Sequence, residues 1–529
     1  MTPLLFAFAW GGVLLQPQAE FPATVTLDGE VPAAGGDFAV VDFEVPEGTV
    51  EIEITHSDES DFNILDWGVW GPDGFRGWGG GNTEPAIIGA EVSSRSYRPG
   101  PITPGTWHLV IGKAKIKVDP ATYAVTVTVR DAATLTPRPR ATPAPVTLET
   151  GARWYKGDFH VHSLDSGDAS ASLEAIVDFA RGRGLDFVVI SDHNTDSQLG
   201  IIAALQPSVS DVLLIPGQEV TTYNGHGNAV NITGYIDHRV GFEGRTITDV
   251  IDDVVAQGAV FNINHPGLDL GDGCIGCAWD HPDTPWEEVT GIEINTGSFD
   301  VAPLLVPLAR ELWETHADMG QRWAVVGGSD DHRAGTDMSG LASTIGTPTT
   351  LVYADALSAA AITEAMIAGR TMVMLPDPDQ PMVDFSISSA NSDGMVGDEV
   401  AGSEVTVAVH VTGGDGAQVA LYRNGAQAMA ENLASDDDTI SWTLAVSEGG
   451  DRFHVELNRG GAPLVVTSHA YATYLPPMMM PPTPTPPEET TGCGCDVAGR
   501  GAGGGSGMAL CAIVAAAALA AQKWRSEKA

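Results

Sequence analysis

The sequence predicts a multidomain fold: a central α/β domain flanked by N- and C-terminal all-β domains. Three observations predict it. Residues 20–131 alternate apolar and polar side chains between Gly- and Pro-rich turns. Residues 151–376 place short, uninterrupted apolar runs between helix-like runs. Residues 377–475 return to period-2 alternation, and the helix-like runs stop. At 529 residues the chain has the length of about three domains.

The opening stretch, "MTPLLFAFAWGGVLLQPQAE", carries an apolar run from Leu4 to Leu15, followed by Pro17, Gln18 and Ala19. It reads as a signal peptide spanning 1–19, without the usual Lys or Arg at its start. Residues 20–131 follow as a β-sandwich or jelly roll, with "VEIEITH", "WHLVIG" and "YAVTVTVR" as strands. Its Trp67, Trp70 and Trp78 suit core or loop packing, or alternatively a binding face. "TLTPRPRATPAPVT" lies in a Pro/Thr linker, 132–150.

In the central domain "LDFVVISDH", "VLLIPGQEV", "NAVNITGY", "AVFNINHP", "TGIEINTG", "WAVVGGSDDH" and "TTLVYA" read as strands buried on both faces. Ser172 caps one helix that presents Leu173, Ile176, Val177 and Ala180 on one side and ends near Gly182 or Gly184. Further helices are expected over Ile247–Gln257, Ala302–Met319 and Leu357–Ile367. Alternating strands and helices argue for a parallel sheet, open or closed as a barrel. Residues 377–475, with "MVDFSIS", "EVTVAVHVTG" and "RFHVELNRG", read as a small Ig-like sandwich. A second Pro/Thr linker occupies 476–492. Residues 493–529 hold "GCGC", a Gly-rich stretch, the apolar run Met508–Ala521 and a basic end. That run is short for a permanent membrane-spanning helix, since a bilayer core is roughly 30 Å thick.

Sixty-nine acidic against 26 basic residues give a net charge of -43. Nucleic-acid polymers and anionic lipid are bound through Lys and Arg, so a chain this acidic would repel both, and free nucleic-acid polymers are poor substrate candidates. Of five cysteines, Cys493, Cys495 and Cys511 belong to the tail. Cys274 and Cys277 form "CIGC", which is compatible with half a zinc site, a redox pair or a disulfide. In an exported chain the local disulfide is the preferred reading.

Nine of the 14 histidines lie between His160 and His332. In "GDFHVHSLDSGDAS" the period of a strand turns His160 and His162 to one side, with Asp165 and Asp168 following. Other acid and imidazole groups end strands or begin the next loop. They are His193 in "ISDH", Glu219 in "PGQE", His226 in "GHGN", His265 in "NINHP", and Asp330 and His332 in "GGSDDH". Strand C-termini of an α/β barrel open on one face, which would gather these groups in one cleft. Mixed imidazoles and carboxylates suit Zn, Mn or Fe better than Mg or Ca.

Taken together, "GDFHVHS", "VISDHNT", "GQEVTT" with "GHGN", "NHP" and "GGSDDH" resemble the ordered motifs of the PHP (polymerase and histidinol phosphatase) superfamily of metal-dependent hydrolases. The exported, carbaryl-hydrolase-like branch is the most similar. The resemblance implies a distorted (β/α)7 barrel with two or three divalent ions. His160 and His162 would bind one ion and Glu219 would bridge two. His193 and Asp168, with Asp165 as competitor, would bind a third. His226 and His265 would fill the remaining shells, and Asp330 and His332 would close the site. Asp331 would be a neighbour. Ions roughly 3.5–4 Å apart lower the pKa of a bridging water, so Glu219 and Asp330 are the catalytic candidates. Arg333 and Lys156 flank the motifs as candidates for meeting a small anionic or ester substrate. His238, His281 and His316 are expected to be packing residues.

Phosphoester hydrolysis is the implied activity. Carboxyl- or carbamate-ester hydrolysis is the alternative, and a surface adhesion or carbohydrate-binding protein with a non-catalytic barrel is a further one. The tail resembles C-terminal sorting tails of myxobacterial surface proteins, which implies export to the cell surface or outer membrane, or secretion.

Overall fold

The computed structural model describes residues 20–476, apart from 61, 337–343, 377 and 380. The expected signal peptide and C-terminal tail, with Cys493, Cys495 and Cys511, lie outside the described residues, as does the second linker beyond its first residue. Among the described residues no helix is long and apolar enough to cross a membrane.

Two antiparallel sheets make up the N-terminal part. One orders Ala23–Thr26, Ala121–Arg130, Glu51–Ser57 and Ala86–Gly89, with Gly29–Val31 paired alongside. The other orders Phe38–Val45, Gly105–Lys115, Ile64–Gly71 and Gly74–Gly80. Along Ala121–Arg130 buried and more exposed side chains alternate strictly, the pattern of a strand with one face in the core. Ile52, Ile54, Trp67, Trp107, Ile111 and Val125 share that core.

The central sheet runs in the order Ala324–Gly328, Val289–Thr296, Val260–Ile263, Gly225–Val230, Leu213–Thr222, Phe187–Ile190, Thr147–Val161, Thr349–Ser358 and Thr371–Met374. It curves until its first strand nears Thr147–Val161 again. There a parallel bridge joins Val161 to Asp331, the His162 N–H donates to the Asp331 carbonyl at 2.9 Å, and the Asp330 N–H donates to the His160 carbonyl at 2.8 Å. Five helices are described: α1 Leu173–Gly182, α2 Leu199–Leu205, α3 Ile247–Ala256, α4 Ala302–Asp318 and α5 Ala359–Ile367. The Ser172 hydroxyl accepts the Ala175 N–H at 3.3 Å and fixes the start of α1.

This differs from the expected (β/α)7 barrel. Helices are fewer, and Leu213–Thr222, Gly225–Val230 and Val260–Ile263 pair antiparallel. Only Tyr223 and Asn224 separate the first two of these strands. So short a link forms a hairpin, whereas a parallel crossover needs a dozen residues or more.

The C-terminal region, expected as a small Ig-like sandwich, shares one of its sheets with the central domain. One sheet orders Asp393–Met395, Met382–Ser388, Glu404–Thr412 and Asp437–Ala445. Its opposing strands, including Gln418–Arg423, Asp451–Arg459 and Ala462–Thr467, continue the central sheet, because Ala462–Thr467 pairs antiparallel with Thr371–Met374. Each domain thereby covers an edge strand of the other.

Candidate metal centre

Glu219, on Leu213–Thr222, is 1% exposed and lies at the middle of the imidazole cluster. Its Oε2 stands 3.3 Å from His160 Nε2, 3.6 Å from His162 Nε2 and 2.9 Å from His193 Nδ1. Its Oε1 stands 3.5 Å from His226 Nδ1 and 3.4 Å from His265 Nε2, and accepts from Asn264 Nδ2 at 2.9 Å. From the end of Ala324–Gly328, Asp330 Oδ1 approaches His160 Nε2 at 3.3 Å and His162 Nε2 at 3.0 Å. Asp168 Oδ2 completes the group, 3.3 Å from His193 Nε2 and 3.2 Å from His332 Nε2.

All nine ligand candidates read from the sequence therefore converge on one cluster. Asp165 does not join it: its carboxylate accepts from Arg138 Nη2 at 2.8 Å and from Ser197 Oγ at 3.1 Å. The Asp331 carboxylate accepts the N–H groups of Arg333 and Gly335 and shapes the turn after the site.

Strand geometry explains the convergence. His160 and His162 project from the same side of Thr147–Val161 and its continuation, and both are fully buried. Asp330 and His265 adopt positive φ, 57° and 27°, which is costly for residues other than glycine and tends to be stored at functional sites.

Charge coupling is strong. Burial opposes protonation of His160, but Glu219, Asp330 and Glu293 outweigh it and raise its pKa well above the imidazole range. Burial likewise opposes protonation of His332, yet Asp168 brings it to about 9. Burial and the neighbouring His332 and His193 push His162 down to about 3. Burial would raise the pKa of Glu219, but His160 and His193 hold it well below the carboxylate range. The fully buried His160 Nε2, His162 Nδ1 and Glu219 Oε2 have no hydrogen-bond partner. Buried polar atoms left this way cost about 1–3 kcal/mol each, which a bound cation would remove. His160, His162, Glu219 and Asp330 form one group whose ligand atoms lie within 4.8 Å of one another, and Glu219, His226 and His265 form another. The mixed imidazole and carboxylate donor set fits divalent-metal binding.

Two orienting roles are not expected from the sequence. Glu293 Oε1 stands 3.2 Å from His160 Nδ1. The signal was a lone carboxylate inside the apolar strand "GIEIN". The "CIGC" loop is the other. Cys274 and Cys277 are joined as a disulfide. The Ile275 carbonyl receives His226 Nε2 at 3.1 Å, and the Cys277 carbonyl receives His265 Nδ1 at 3.2 Å. Both contacts leave the opposite ring nitrogen turned to Glu219.

A cavity of about 770 Å³ opens over the cluster. The N-terminal sheets supply part of its wall, including Phe38, Ile64, Asp66 and Trp78. Among the described residues no Lys or Arg lines it. Arg333 and Lys156, the expected substrate contacts, are not among its lining residues; Lys156 Nζ pairs with Asp379 Oδ1 at 3.2 Å. Of the three tryptophans, Trp67 and Trp78 are buried and Trp70 lies beneath the Arg239 guanidinium. His281 bonds to the Thr222 hydroxyl and His316 packs against both Trp286 and Trp323, while His238 packs edge-on against Trp78.

No family model matches the chain, and no curated protein does. Among solved structures, it is similar to a two-domain protein from Bacteroides vulgatus containing a predicted PHP-like metal-dependent phosphoesterase. The identity is 21%, the TM-score 0.36, and the match covers 64% of this chain and 100% of that one. It is also similar to a protein from Bifidobacterium adolescentis assigned as a metal-dependent phosphoesterase. Here the identity is 16%, the TM-score 0.26, and coverage is 35% of this chain and 92% of that one. Both likenesses are remote.

Proposed function

We propose that this chain is a metal-dependent hydrolase of the PHP type, acting on phosphoesters. One observation carries the reading: the buried Glu219 carboxylate meets five imidazoles at 2.9–3.6 Å. His160, His162, His193, His226, His265, His332, Asp168, Glu219 and Asp330 would hold two or three divalent ions. Such ions, when bound, supply Lewis acidity and an acidified water for attack on phosphorus or a carbonyl. The chain's own contribution is placement. Both Glu219 and Asp330 border the cavity, but Glu219 is only 1% exposed whereas the Asp330 side chain is 31% exposed. Burial would raise its pKa, but His160 and His162 hold Asp330 as a carboxylate, the form that accepts a proton from an attacking water.

A second reading, hydrolysis of a carboxyl or carbamate ester, is favoured by the wall of the cavity. Phe38, Ile64, Trp78, Leu268 and Leu270 make part of it apolar, and no described Lys or Arg lining it offers a counter-charge to a phosphate. Export is part of the proposal, supported by the Cys274–Cys277 pair, which persists in oxidising compartments. Display at the cell surface through the C-terminal tail is likewise proposed.

Metal-replete protein should hold at least two transition-metal ions per chain by elemental analysis. It should hydrolyse a p-nitrophenyl phosphomonoester or phosphodiester faster than a p-nitrophenyl carboxyl ester. The reverse order of rates selects the second reading. His160→Ala with His162→Ala should abolish turnover and leave the circular dichroism spectrum unchanged. Absence of bound metal would leave only a non-catalytic binding protein.

A further inference from the structure

A second acid–imidazole cluster lies away from the cavity, where α4 meets the C-terminal strands. Glu314, near the end of α4, points its Oε1 at His454 Nδ1, 3.0 Å away, and at His469 Nε2, 3.1 Å away. Both histidine side chains are 1% exposed. Arg452 occupies the other carboxylate oxygen, with Nη2 at 2.7 Å and Nε at 3.0 Å, and so presents Oε1 to the imidazoles. The rings are clamped: His469 stacks on Trp313 at 3.9 Å and His454 on Tyr422 at 4.6 Å.

Hydrogen bonding accounts for only part of this. The His469 contact has hydrogen-bond geometry. The His454 contact does not, and neither nitrogen of that buried ring makes a hydrogen bond. Two buried imidazole nitrogens stand within 3.1 Å of one carboxylate oxygen, one of them outside hydrogen-bond geometry, and that spacing suits ligands of a shared metal ion. In a tetrahedral shell with bonds of about 2.0–2.1 Å, ligand atoms stand roughly 3.3 Å apart. On the far side of the His454 ring a carboxylate stands at longer range, beyond hydrogen-bond reach. His454 Nε2 faces Glu456 Oε1 at 3.8 Å, and Glu456 is itself paired with Arg310.

We propose that Glu314, His454 and His469 form a second metal site, for zinc or a similar dication, that clasps α4 to the C-terminal strands. Water completes its shell. The proposal is independent of any hydrolytic activity.

The test uses the full chain carrying His160→Ala and His162→Ala, loaded with zinc and dialysed. Adding Glu314→Gln, which retains a hydrogen-bond acceptor, or His469→Asn should remove one zinc equivalent per chain while circular dichroism stays unchanged. An unchanged zinc count in the folded variants overturns the proposal and leaves a hydrogen-bonded network only. Because either variant can fail to fold, crystals of the chain unaltered at these positions are soaked in zinc and measured at the zinc edge. An anomalous peak between the three side chains is expected, and its absence overturns the proposal.

Discussion

Glu293 Oε1 lies 3.2 Å from His160 Nδ1, while Glu293 Oε2 accepts the backbone N–H of His265 at 2.8 Å. One carboxylate thus sets the ring of one candidate ligand and the main chain of another. Carboxylates behind ligating histidines fix the tautomer and raise ligand basicity, and their loss costs about 10–100-fold in metal affinity or activity. Glu293→Gln should weaken zinc binding by that factor and leave the melting temperature of the metal-free chain within a few degrees. Competition against a fluorescent chelator measures it, and unchanged affinity would show that His160 is oriented by other contacts.

Asp168 and Asp165 should separate cleanly on substitution. Asp168 faces His193 and His332, with a half-exposed side chain. Asp165 is buried and holds Arg138 of the interdomain linker. Asp168→Asn should reduce bound metal by one equivalent and lower turnover at least tenfold, with stability nearly unchanged. Asp165→Asn should cost about 2 kcal/mol of stability, the order expected for a weakened charge-assisted bond to a partly exposed arginine, with the metal count unchanged. Elemental analysis and urea unfolding of both variants decide the assignment.

How much of this was legible in the sequence follows from the physics of each signal. His160 and His162 could be placed on one side because strand periodicity is a local property. The positions of His193 and Asp330 just past strand ends were readable for the same reason, whereas Glu219, expected at a strand end, lies inside Leu213–Thr222. Strand direction was not. "PGQEVTTYNGHGNAV" reads as two buried strands either way, and only the two-residue link reveals a hairpin. Glu293 was hidden because a single acid in an apolar run has no partner in the linear sequence. Joining of the C-terminal strands to Thr371–Met374 was equally invisible, since edge pairing depends on which backbone edges meet in space. Glu314, His454 and His469 are scattered over two domains, and nothing in their spacing links them.

Acid sensitivity should trace in part to His238. Burial against Trp78 pushes its pKa down to about 3, even though Asp237 works in the opposite direction. Its Nδ1 lies 2.9 Å from the Tyr235 hydroxyl. Since the folded-state value lies below the ordinary 6.5, the unfolded chain binds more protons between about pH 6.5 and pH 3. Stability contributed by the neutral ring is therefore complete above pH 6.5 and falls as the pH drops through that window. At pH 4.5 the loss is about 3 kcal/mol, from roughly two units at 1.36 kcal/mol each. In His238→Gln the difference in unfolding free energy between pH 7 and pH 4.5 should shrink by about that amount. An identical pH dependence in the two proteins would mean that the ring is not held neutral.

Two adjacent glycines in "VVGGSDDH" should respond differently to the same added methyl. A Cβ on Gly328 would lie 2.2 Å from His160 Cβ and 2.9 Å from Glu293 Oε1, so His160 and its orienting carboxylate must both move. A Cβ on Gly327 would instead meet Val373 Cγ1 at 2.7 Å and Pro348 Cγ at 2.8 Å, on the side away from the imidazoles. Overpacking of this kind costs about 1–3 kcal/mol at either position. Gly328→Ala should also lower zinc affinity more than tenfold, because a ligand displaced by even a fraction of an ångström no longer shares a point with Glu219 and Asp330. Gly327→Ala should lose stability while keeping zinc affinity within a few-fold. Parallel metal titrations and thermal melts test the contrast, and equal zinc affinities in the two variants would refute the placement of His160 as a ligand.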